Sequence, residues 1–590
     1  MNNTAYYTYL LRQHFGYDSF RSIQLDIIQS IGSGHDTLGL MPTGGGKSIT
    51  FQIPALAMDG ICIVISPLIA LMKDQVQHLK ERGIKAEAVY SGLSKKESHQ
   101  ILDNAAFGAV KFLYVSPERL SNRLFLAKLY YMKVCFITVD EAHCISQWGY
   151  DFRPSYLKIN ELRKVLPSAP ILALTATATP AVVTDIQEQL EFGKHNNLKP
   201  QVFSMSFRRE NLSYVVRQAD DKFQELLHII CSVRGSVIVY TRNRERTKEV
   251  ADKLCEEGIS ATFYHAGLDF SIKEKRQDDW QQDKVRVMVA TNAFGMGIDK
   301  PDVRLVIHMD TPDSIEAYYQ EAGRAGRDGK RAYAVLIYNG QDRTNLLRHV
   351  KTAFPPKDYI KKVYDHLAYF FELAINSGEG ARYDFNEYLF CRRFKHHPLH
   401  LEAALAILQN SGYITYSIDN ENKARVMICV TRNELYNINF LTPDEEKALN
   451  ALLRHYGTLF TDMTYIDNEA IMRHTALSQD ELHMTLKSLA ERRIIRYVPP
   501  RHKPMITYPR QRVDSAHMII PRNVYETMQE RMSERVSRML QYIDDNATCR
   551  ERMLLEYFGE KTDRDCGHCD VCLDRQKTIL SYFDLLFKSK

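Results

Sequence analysis

The sequence predicts an α/β protein with two parallel-sheet lobes, followed by smaller helix-rich domains and a cysteine module. Apolar strand-like segments alternate with helix-like segments over about the first 345 residues, which is typical of parallel sheets. A glycine-rich loop joins one of the first strands to a helix, as nucleotide-binding sheets require. Four cysteines cluster near the C-terminus. We expect domain ranges 1–206, 207–345, 346–436, 437–528 and 529–575, with a tail at 576–590.

Length and composition are those of a globular intracellular protein. A chain of 590 residues is too long to fold around a single hydrophobic core, so about three to five domains are expected. The net charge of +5 permits local nucleic-acid-binding patches without indicating them. No secretory pattern opens the sequence, and the longest apolar run, 61–72, contains Ser66 and Pro67 and is too short for a membrane span. We therefore expect a cytoplasmic protein, nucleoid-associated if bacterial, with no membrane partner.

The glycine-rich loop is a P-loop in all but its first glycine. It runs Met41-Pro-Thr-Gly-Gly-Gly-Lys47-Ser48 between a strand-like segment and a helix. Successive glycines let backbone amides converge on phosphate groups, and the following helix presents its positive end. We expect Lys47 to pair with phosphate oxygens and Ser48 to ligate Mg²⁺. The sequence thus predicts ATP and Mg²⁺ as cofactors.

Two carboxylates, Asp140 and Glu141, follow the apolar strand 134–139. Strand ends of a parallel sheet meet at one edge, so these residues should approach the P-loop. Asp140 would hold Mg²⁺ through its water shell, and Glu141 would orient and deprotonate the attacking water. Without the P-loop, this pair would be read as a solvated turn.

An aromatic segment with neither helical nor strand periodicity follows directly. It carries Trp148, Tyr150, Phe152 and Arg153 within Ser146–Pro154. Aromatic rings stack on nucleobases, and a guanidinium binds phosphate or an aromatic face. Core packing is the rival interpretation, but buried aromatics usually occur in periodic apolar segments. We expect this loop to couple nucleotide hydrolysis to nucleic acid.

Further motifs resemble those of superfamily 2 helicases, and more narrowly those of the RecQ family. They occur in family order over about residues 10–345 and resume near 530–572. The matching segments are Phe20-Arg21…Gln24, Met41–Ser48, Ser66-Pro67-Leu68, Ser116-Pro117-Glu118, Asp140–His143, Ser146–Pro154, Thr175-Ala176-Thr177, Ser206-Phe207…Arg209…Asn211, Val285–Asp299 and Tyr318–Arg327.

The resemblance implies two RecA-like helicase lobes and ATP-driven unwinding with 3′→5′ movement on single-stranded DNA. It implies nucleotide contacts from Phe20, Arg21, Gln24, Thr43, Gly44, Gly45, Gly46, Lys47, Ser48, Gly297 and Asp299. It implies DNA contacts from Ser116, Trp148, Phe152, Arg153, Thr241, Arg242 and His265.

A second-lobe segment contains Gln320, Arg324 and Arg327 in the spacing Q-x-x-G-R-x-G-R. Arginines delivered across a cleft neutralise phosphate charge only when the lobes close, which ties hydrolysis to motion. We expect Arg327 to act as the arginine finger, with Arg324 as its partner and Gln320 in the same catalytic group. The rival interpretation is a solvated charged turn.

The region between the lobes and the cysteines has the sequence pattern of two winged helices. The helix after Ser478 begins with a capping box to Glu481, and the segment 494–499 should form a wing with Arg501 near its tip. We expect Arg501 to bind DNA and the 497–503 hairpin to wedge a duplex junction. A protein–protein spacer is the alternative.

Cys549, Cys566, Cys569 and Cys572 have the spacing of one tetrahedral Zn²⁺ site. His568 is a substitute ligand, and redox-active thiols are the rival interpretation. Familiar RecQ proteins place the zinc module before the winged helix, so the C-terminal half of this chain is rearranged. The remaining cysteines are scattered singly and give no disulfide framework.

The sequence therefore predicts a RecQ-type DNA helicase that acts in recombination and repair. Its expected partners are single-stranded and forked duplex DNA and a single-strand-binding protein, with a monomeric chain favoured. An RNA helicase with the same ATPase core is one alternative. The other is a winged-helix DNA-binding regulator whose ATPase core only switches conformation.

Overall fold

The chain forms two compact units. The computed structural model describes residues 3–42, 44–90, 93, 95–195, 198–295, 300–418, 424–431, 434–435, 438, 441–456, 459–460, 463–499 and 504–577. One unit combines Met1–His349 with Glu530–Lys590, and the other is Val350–Gln529. The C-terminal segment therefore returns to the unit that contains both lobes. Among the described residues, no helix has the length and apolar content needed to cross a bilayer.

Lobe 1 is built on a seven-stranded parallel sheet with strand order β3-β4-β2-β5-β6-β1-β7. Its strands are β1 (Thr37–Leu40), β2 (Ile61–Ile65), β3 (Ala86–Val89), β4 (Phe112–Val115), β5 (Val134–Val139), β6 (Ile171–Thr175) and β7 (Gln201–Ser204). Its helices are α1 (Asn3–Phe15), α2 (Gln24–Gly32), α3 (Lys47–Ala57), α4 (Ile69–Glu81), α5 (Lys95–Ala106), α6 (Arg123–Leu129), α7 (Ile159–Val165) and α8 (Pro180–Gln189).

The centre of this sheet is buried on both faces, which explains why its strands are nearly continuous apolar runs. Along β2, Ile61, Ile63 and Ile65 enter one hydrophobic cluster, whereas Cys62 and Val64 enter the other. Strands β5, β6 and β1 are neighbours. Their carboxyl ends therefore bring the P-loop and the acidic pair to one edge.

Lobe 2 repeats the plan with a six-stranded parallel sheet of order β10-β11-β9-β12-β13-β8. Its strands are β8 (Leu212–Gln218), β9 (Ser236–Tyr240), β10 (Ala261–Tyr264), β11 (Val287–Ala290), β12 (Val303–His308) and β13 (Ala332–Tyr338). Its helices are α9 (Lys222–Ser232), α10 (Arg244–Glu256), α11 (Phe270–Gln281), α12 (Ile315–Ala322) and α13 (Gly340–Ala353). The predicted α/β class with two parallel-sheet lobes is confirmed.

The second unit contains two small antiparallel sheets, each with its own hydrophobic core. The first sheet has the order β14-β19-β15 and the second β17-β16-β18. The strands are β14 (Arg382–Asp384), β15 (Thr415–Ile418), β16 (Arg425–Ile428), β17 (Thr464–Tyr465), β18 (Ile495–Val498) and β19 (Pro504–Thr507). The helices are α14 (Lys357–Phe370), α15 (Glu387–Phe394), α16 (Pro398–Asn410), α17 (Pro443–His455), α18 (Asn468–Thr475) and α19 (Gln479–Glu491).

Strand pairing corrects the expected division at 436/437. β16 precedes that boundary but pairs with β17 and β18, which follow it. β19, in turn, pairs back with β14 and β15. The second small domain is therefore inserted within the first. The capping box between Ser478 and Glu481 forms as predicted at the start of α19.

The two strands that flank the hairpin predicted at 497–503 do not pair with each other, and residues 500–503 of that hairpin lie outside the described residues. β18 and β19, on either side of it, pair with strands of two different sheets. The proximity of β18 and β19 in sequence favours a hairpin, but each of them pairs with strands that are more distant in sequence. Arg501 itself lies outside the described residues.

A C-terminal arm, formed by α20 (Glu526–Asp544), α21 (Arg550–Tyr557) and the cysteine segment, packs on lobe 2. Met539 and Tyr542 of α20 and Leu554 of α21 share a hydrophobic core with Leu212 and Tyr318. The winged-helix region is thus an insertion in sequence between lobe 2 and an arm that completes the core of lobe 2.

Candidate nucleotide site and coupling loop

The P-loop is held by a glutamine from the start of α2. The Gln24 amide nitrogen donates to the carbonyls of Gly45 (3.2 Å) and Gly46 (3.1 Å), and its oxygen accepts from the Arg21 amide (2.8 Å). Gly46 has φ +75°, and a Cβ there would lie 2.4 Å from the Gln24 nitrogen. Glycine at this position therefore satisfies both the turn and the close approach. Phe20 is half-buried beside Arg21.

Lys47 and the acidic pair meet at the sheet edge. Lys47 Nζ lies 3.6 Å from Glu141 Oε1. Burial and the Glu141 charge raise the pKa of Asp140 to about 6. Despite its own burial, Glu141 has a lowered pKa because the Lys47 ammonium group is close. Of the pair, Glu141 is the more readily ionised carboxylate. The donor set fits a nucleotide phosphate and Mg²⁺, with Ser48 at the head of α3.

A side-chain path leads from Glu141 to lobe 2. His143 Nδ1 lies 3.4 Å from Glu141 Oε2 and 2.9 Å from Thr175 Oγ1. The His143 ring stacks on Tyr150 at 4.8 Å, and the Tyr150 hydroxyl donates to Gln320 Oε1 at 2.6 Å. Burial lowers the pKa of His143 and therefore favours its neutral form. The aromatic loop thus touches both the acidic pair and the second lobe.

Tyr150→Phe should lower the DNA-stimulated rate of ATP hydrolysis by about two- to tenfold, because it removes one hydrogen bond between the lobes. The rate without DNA should fall less, since the P-loop and Glu141 are untouched. Steady-state phosphate release with and without single-stranded DNA measures both rates. Tyr131→Phe, at an exposed position, is the control. An equal fall in the two rates would contradict a coupling role.

The two arginines of the predicted finger segment occupy different places. Arg327 reaches the P-loop, because a Cβ on Gly44 would lie 3.5 Å from its Cγ. Arg324 is buried, donates to the carbonyl of Gly295, and is close enough to Glu141 to lower that carboxylate's pKa. The structure therefore brings Lys47, Glu141, Arg324 and Arg327 together across the lobes.

Two residues of the 206–211 segment hold the turn that carries these arginines. The Arg209 guanidinium donates to the carbonyls of Gly323 (3.2 Å) and Ala325 (2.9 Å). The Asn211 amide nitrogen donates to the carbonyls of Gly326 (2.6 Å) and Lys330 (2.9 Å). The sequence identified this segment only as the start of lobe 2. Its fit to the finger turn is a long-range contact that no local pattern indicates.

The aromatic loop is partly exposed. Trp148 is 46% exposed, and Phe152 is half-buried. Arg153 is bound internally: its guanidinium pairs with Asp151 at 2.9 Å and donates to the Pro67 carbonyl at 3.2 Å. A phosphate contact by Arg153 would therefore have to compete with Asp151. The role of all three residues in DNA binding stays a prediction.

The other residues expected at DNA differ in their surroundings. Ser116 and Thr241 are buried, which the sequence did not indicate, whereas Arg242 pairs with Asp313. His265 stacks on Phe263 at 5.8 Å, and its pKa is lowered by burial and by nearby cationic side chains. Thr43, Gly297 and Asp299 lie outside the described residues.

The cysteine cluster has the geometry of a zinc site. The four Sγ atoms of Cys549, Cys566, Cys569 and Cys572 lie within 4.8 Å of one another, with two separations of 4.0 Å. A tetrahedron with Zn–S of about 2.3 Å has S–S edges of about 3.8 Å. Backbone amides donate to these sulfurs at 3.3–3.5 Å, which favours thiolates. His568 is not in the cluster; its Nδ1 lies 3.3 Å from Ser213 Oγ.

The arm ties this cluster to the start of lobe 2. Asp570, next to Cys569, accepts from the Val216 amide at 3.0 Å and pairs with buried Arg550. Glu551 accepts from the Arg209 amide at 3.2 Å. The cysteine module therefore supports Arg209, which in turn holds the finger turn.

Four family models match successive parts of the chain. They are the DEAD/DEAH box helicase domain over residues 21–186, the helicase conserved C-terminal domain over 221–329, the RecQ helicase winged-helix domain of Bacteroidota over 426–499, and the RecQ zinc-binding domain over 510–573. The third range agrees with the inserted domain that strand pairing defines, not with the expected boundary at 436/437.

Curated relatives match mainly through the lobes. The ATP-dependent DNA helicase RecQ of Haemophilus influenzae is 46% identical over 335 residues, which cover 56% of this chain and 53% of that protein. RecQ of Bacillus subtilis is 45% identical over 336 residues, covering 56% of each. The probable ATP-dependent DNA helicase RecS of Bacillus subtilis is 43% identical over 335 residues, covering 55% of this chain and 66% of that protein. The chain spans about half the length of the first two relatives.

Proposed function

The chain belongs to the RecQ family of helicases, and from that premise we propose that it is an ATP- and Mg²⁺-dependent DNA helicase. In this proposal it moves 3′→5′ on single-stranded DNA and separates duplex strands in recombination and repair. The observation that carries it is the continuous path from the aromatic loop through Tyr150 to Gln320 and through His143 to Glu141. A strand bound at that loop would act on both sides of the nucleotide cleft.

The chain's own residues divide the work of hydrolysis. Lys47 binds phosphate oxygens, Glu141 orients water and takes its proton, and Arg327 with Arg324 places positive charge across the cleft. Ser48 and Asp140 would hold Mg²⁺, which supplies charge neutralisation at the phosphates when bound. The adenine end of ATP would contact Phe20, Arg21 and Gln24. Cys549, Cys566, Cys569 and Cys572 would hold a structural Zn²⁺.

The proposal extends to partners and organisation. Single-stranded and forked DNA are the substrates, a single-strand-binding protein is a partner, and the chain acts as a monomer in the cytoplasm, at the nucleoid in a bacterium. The ranges 1–206, 207–345 and 529–575 serve as lobe 1, lobe 2 and the zinc module. The RNA-helicase and regulator alternatives are not favoured, because the relatives and two of the family models are those of RecQ proteins.

Strand separation on forks with a single tail tests this function. The chain with ATP–Mg²⁺ should unwind a fork carrying only a 3′ tail and leave a 5′-tailed fork intact. Lys47→Ala should abolish unwinding, and Lys128→Ala, at a surface ion pair, should not. DNA-stimulated hydrolysis without strand separation would mean that the chain translocates but does not unwind.

A further inference from the structure

Helix α20 of the arm carries two arginines to the aromatic loop. The Arg531 guanidinium lies over the Trp148 ring, 3.7 Å from its centroid. Arg535 Nη2 donates to the carbonyls of Trp148 (3.1 Å) and Gly149 (2.8 Å). Arg531 therefore covers one face of the tryptophan, and Arg535, 387 residues away in sequence, holds its backbone.

The loop is also held from lobe 1 and lobe 2. The Ser146 hydroxyl donates to Asp185 at 2.5 Å and accepts from the Trp148 amide at 3.1 Å. Tyr150 donates to Gln320 at 2.6 Å. The backbone around Trp148 is thus fixed between Arg535 on one side and the lobe contacts on the other. A displacement of Trp148 must therefore either displace Tyr150 as well or break these hydrogen bonds.

The Arg531 guanidinium makes few hydrogen bonds in this position. Its Nε and Nη1 are buried and have no hydrogen-bond acceptor within the described part of the chain. Arg531 is instead stabilised by its cation–π contact with Trp148 and by the nearby charge of Asp185, and an aromatic nucleobase competes for the same ring face. A cavity of about 560 Å³, lined by Trp148, Arg531 and Arg535, adjoins this contact. It leaves space for the arginine to move when the ring is occupied.

We propose that Arg531 and Arg535 are positioning residues for the coupling loop. Arg531 covers the stacking face of Trp148 in the DNA-free protein, and a base of the bound strand displaces it. Arg535 holds the loop backbone, so that this displacement is transmitted to Tyr150 and Gln320. The inference rests on the proposed DNA-stimulated ATP hydrolysis, but its first test needs neither DNA nor ATP.

Acrylamide quenching of tryptophan fluorescence measures directly how far Arg531 shields the Trp148 ring. The chain has two tryptophans, and Trp280 is fully buried, so Trp148 is the quenchable one. Arg531→Ala should raise the quenching constant about twofold, because the ring face opens. Arg538→Ala, on the same helix but paired with Glu534, should leave it unchanged, and Trp148→Phe should remove the quenchable component. An unchanged quenching constant in Arg531→Ala would contradict the proposal that Arg531 covers the Trp148 ring.

Titration with single-stranded DNA separates the two roles. Arg531→Ala should lower the DNA concentration for half-maximal ATP hydrolysis about threefold, because the competing cover is gone. Arg531→Lys should fall between it and the wild type, since lysine keeps the charge without the planar stack. A higher half-maximal concentration in Arg531→Ala would mean that Arg531 holds DNA, which would overturn the proposal.

Arg535→Ala should instead lower the ratio of DNA-stimulated to DNA-free kcat, with a smaller change in the half-maximal concentration. An unchanged ratio would remove Arg535 from the coupling path. If DNA fails to stimulate even the wild type, the proposed function fails. Acrylamide quenching in the presence of an oligothymidylate then tests whether a DNA strand still occupies the Trp148 ring face. Lower quenching with the oligothymidylate supports the proposal that Arg531 covers this face until DNA binds. Unchanged quenching overturns it.

Discussion

Glu141→Gln will stop ATP hydrolysis while leaving ATP binding intact. The substitution preserves the size of the side chain but removes the carboxylate that takes the proton from water, and loss of a general base costs about 10²- to 10⁴-fold in rate. Lys47, Gln24 and the P-loop, which would contact the nucleotide in the proposed function, are unchanged. Single-turnover phosphate release gives the rate, and fluorescence of a labelled ATP analogue gives the affinity.

A matched exposed glutamate supplies the control for this substitution. Glu161→Gln, which loses only a surface pair with Lys158, should hydrolyse ATP at the wild-type rate. Lys47→Ala should lose binding and hydrolysis together, because it removes the charge that we propose pairs with the phosphates. A Glu141→Gln chain that retains near-normal hydrolysis would assign water activation to another group at this sheet edge.

Loss of zinc will unfold more than the cysteine module. Apparent binding energies of structural zinc sites are about 10–16 kcal/mol, comparable with the whole stability of a domain. Since α20 and α21 share a core with lobe 2, chelation or Cys569→Ser should lower the melting temperature of lobe 2 and abolish ATP hydrolysis. Elemental analysis should find one zinc per wild-type chain, and thermal unfolding reports the loss.

Hydrolysis should be lost because Glu551 of the arm supports Arg209, which holds the finger turn. Cys231→Ser, at an exposed cysteine far from the cluster in sequence, should keep its zinc and its activity. Full activity and an unshifted melting temperature in metal-free protein would contradict a structural role of the site.

The features that could be predicted from the sequence are those that local residue patterns determine. The P-loop and the acidic pair depend on spacing within a few residues, and the four cysteines lie within 24 residues of one another, and each group lies where its pattern indicates. Strand alternation likewise predicted both parallel sheets, because buried strands between helices leave few other arrangements.

The remaining features depend on partners distant in sequence. β16 and β19 are short and pair with strands distant in sequence, so the boundary between the two nested small domains does not lie at 436/437. The support of the finger turn by Arg209 and Asn211, and the contact of Arg531 with Trp148, join segments that no periodicity relates. Ser116, for which the motif implies a DNA contact, is buried directly after β4, and no local pattern indicates that burial.

The shared core of lobe 2 also constrains the order in which the chain acquires structure during synthesis. Phe207 packs against Phe558, yet the ribosome completes the whole winged-helix region before residue 558 emerges. The inserted region has its own cores and can fold early, whereas lobe 2 must wait with apolar surface uncovered. A nascent chain arrested before α20 should therefore be protease-sensitive in lobe 2 and already resistant in lobe 1.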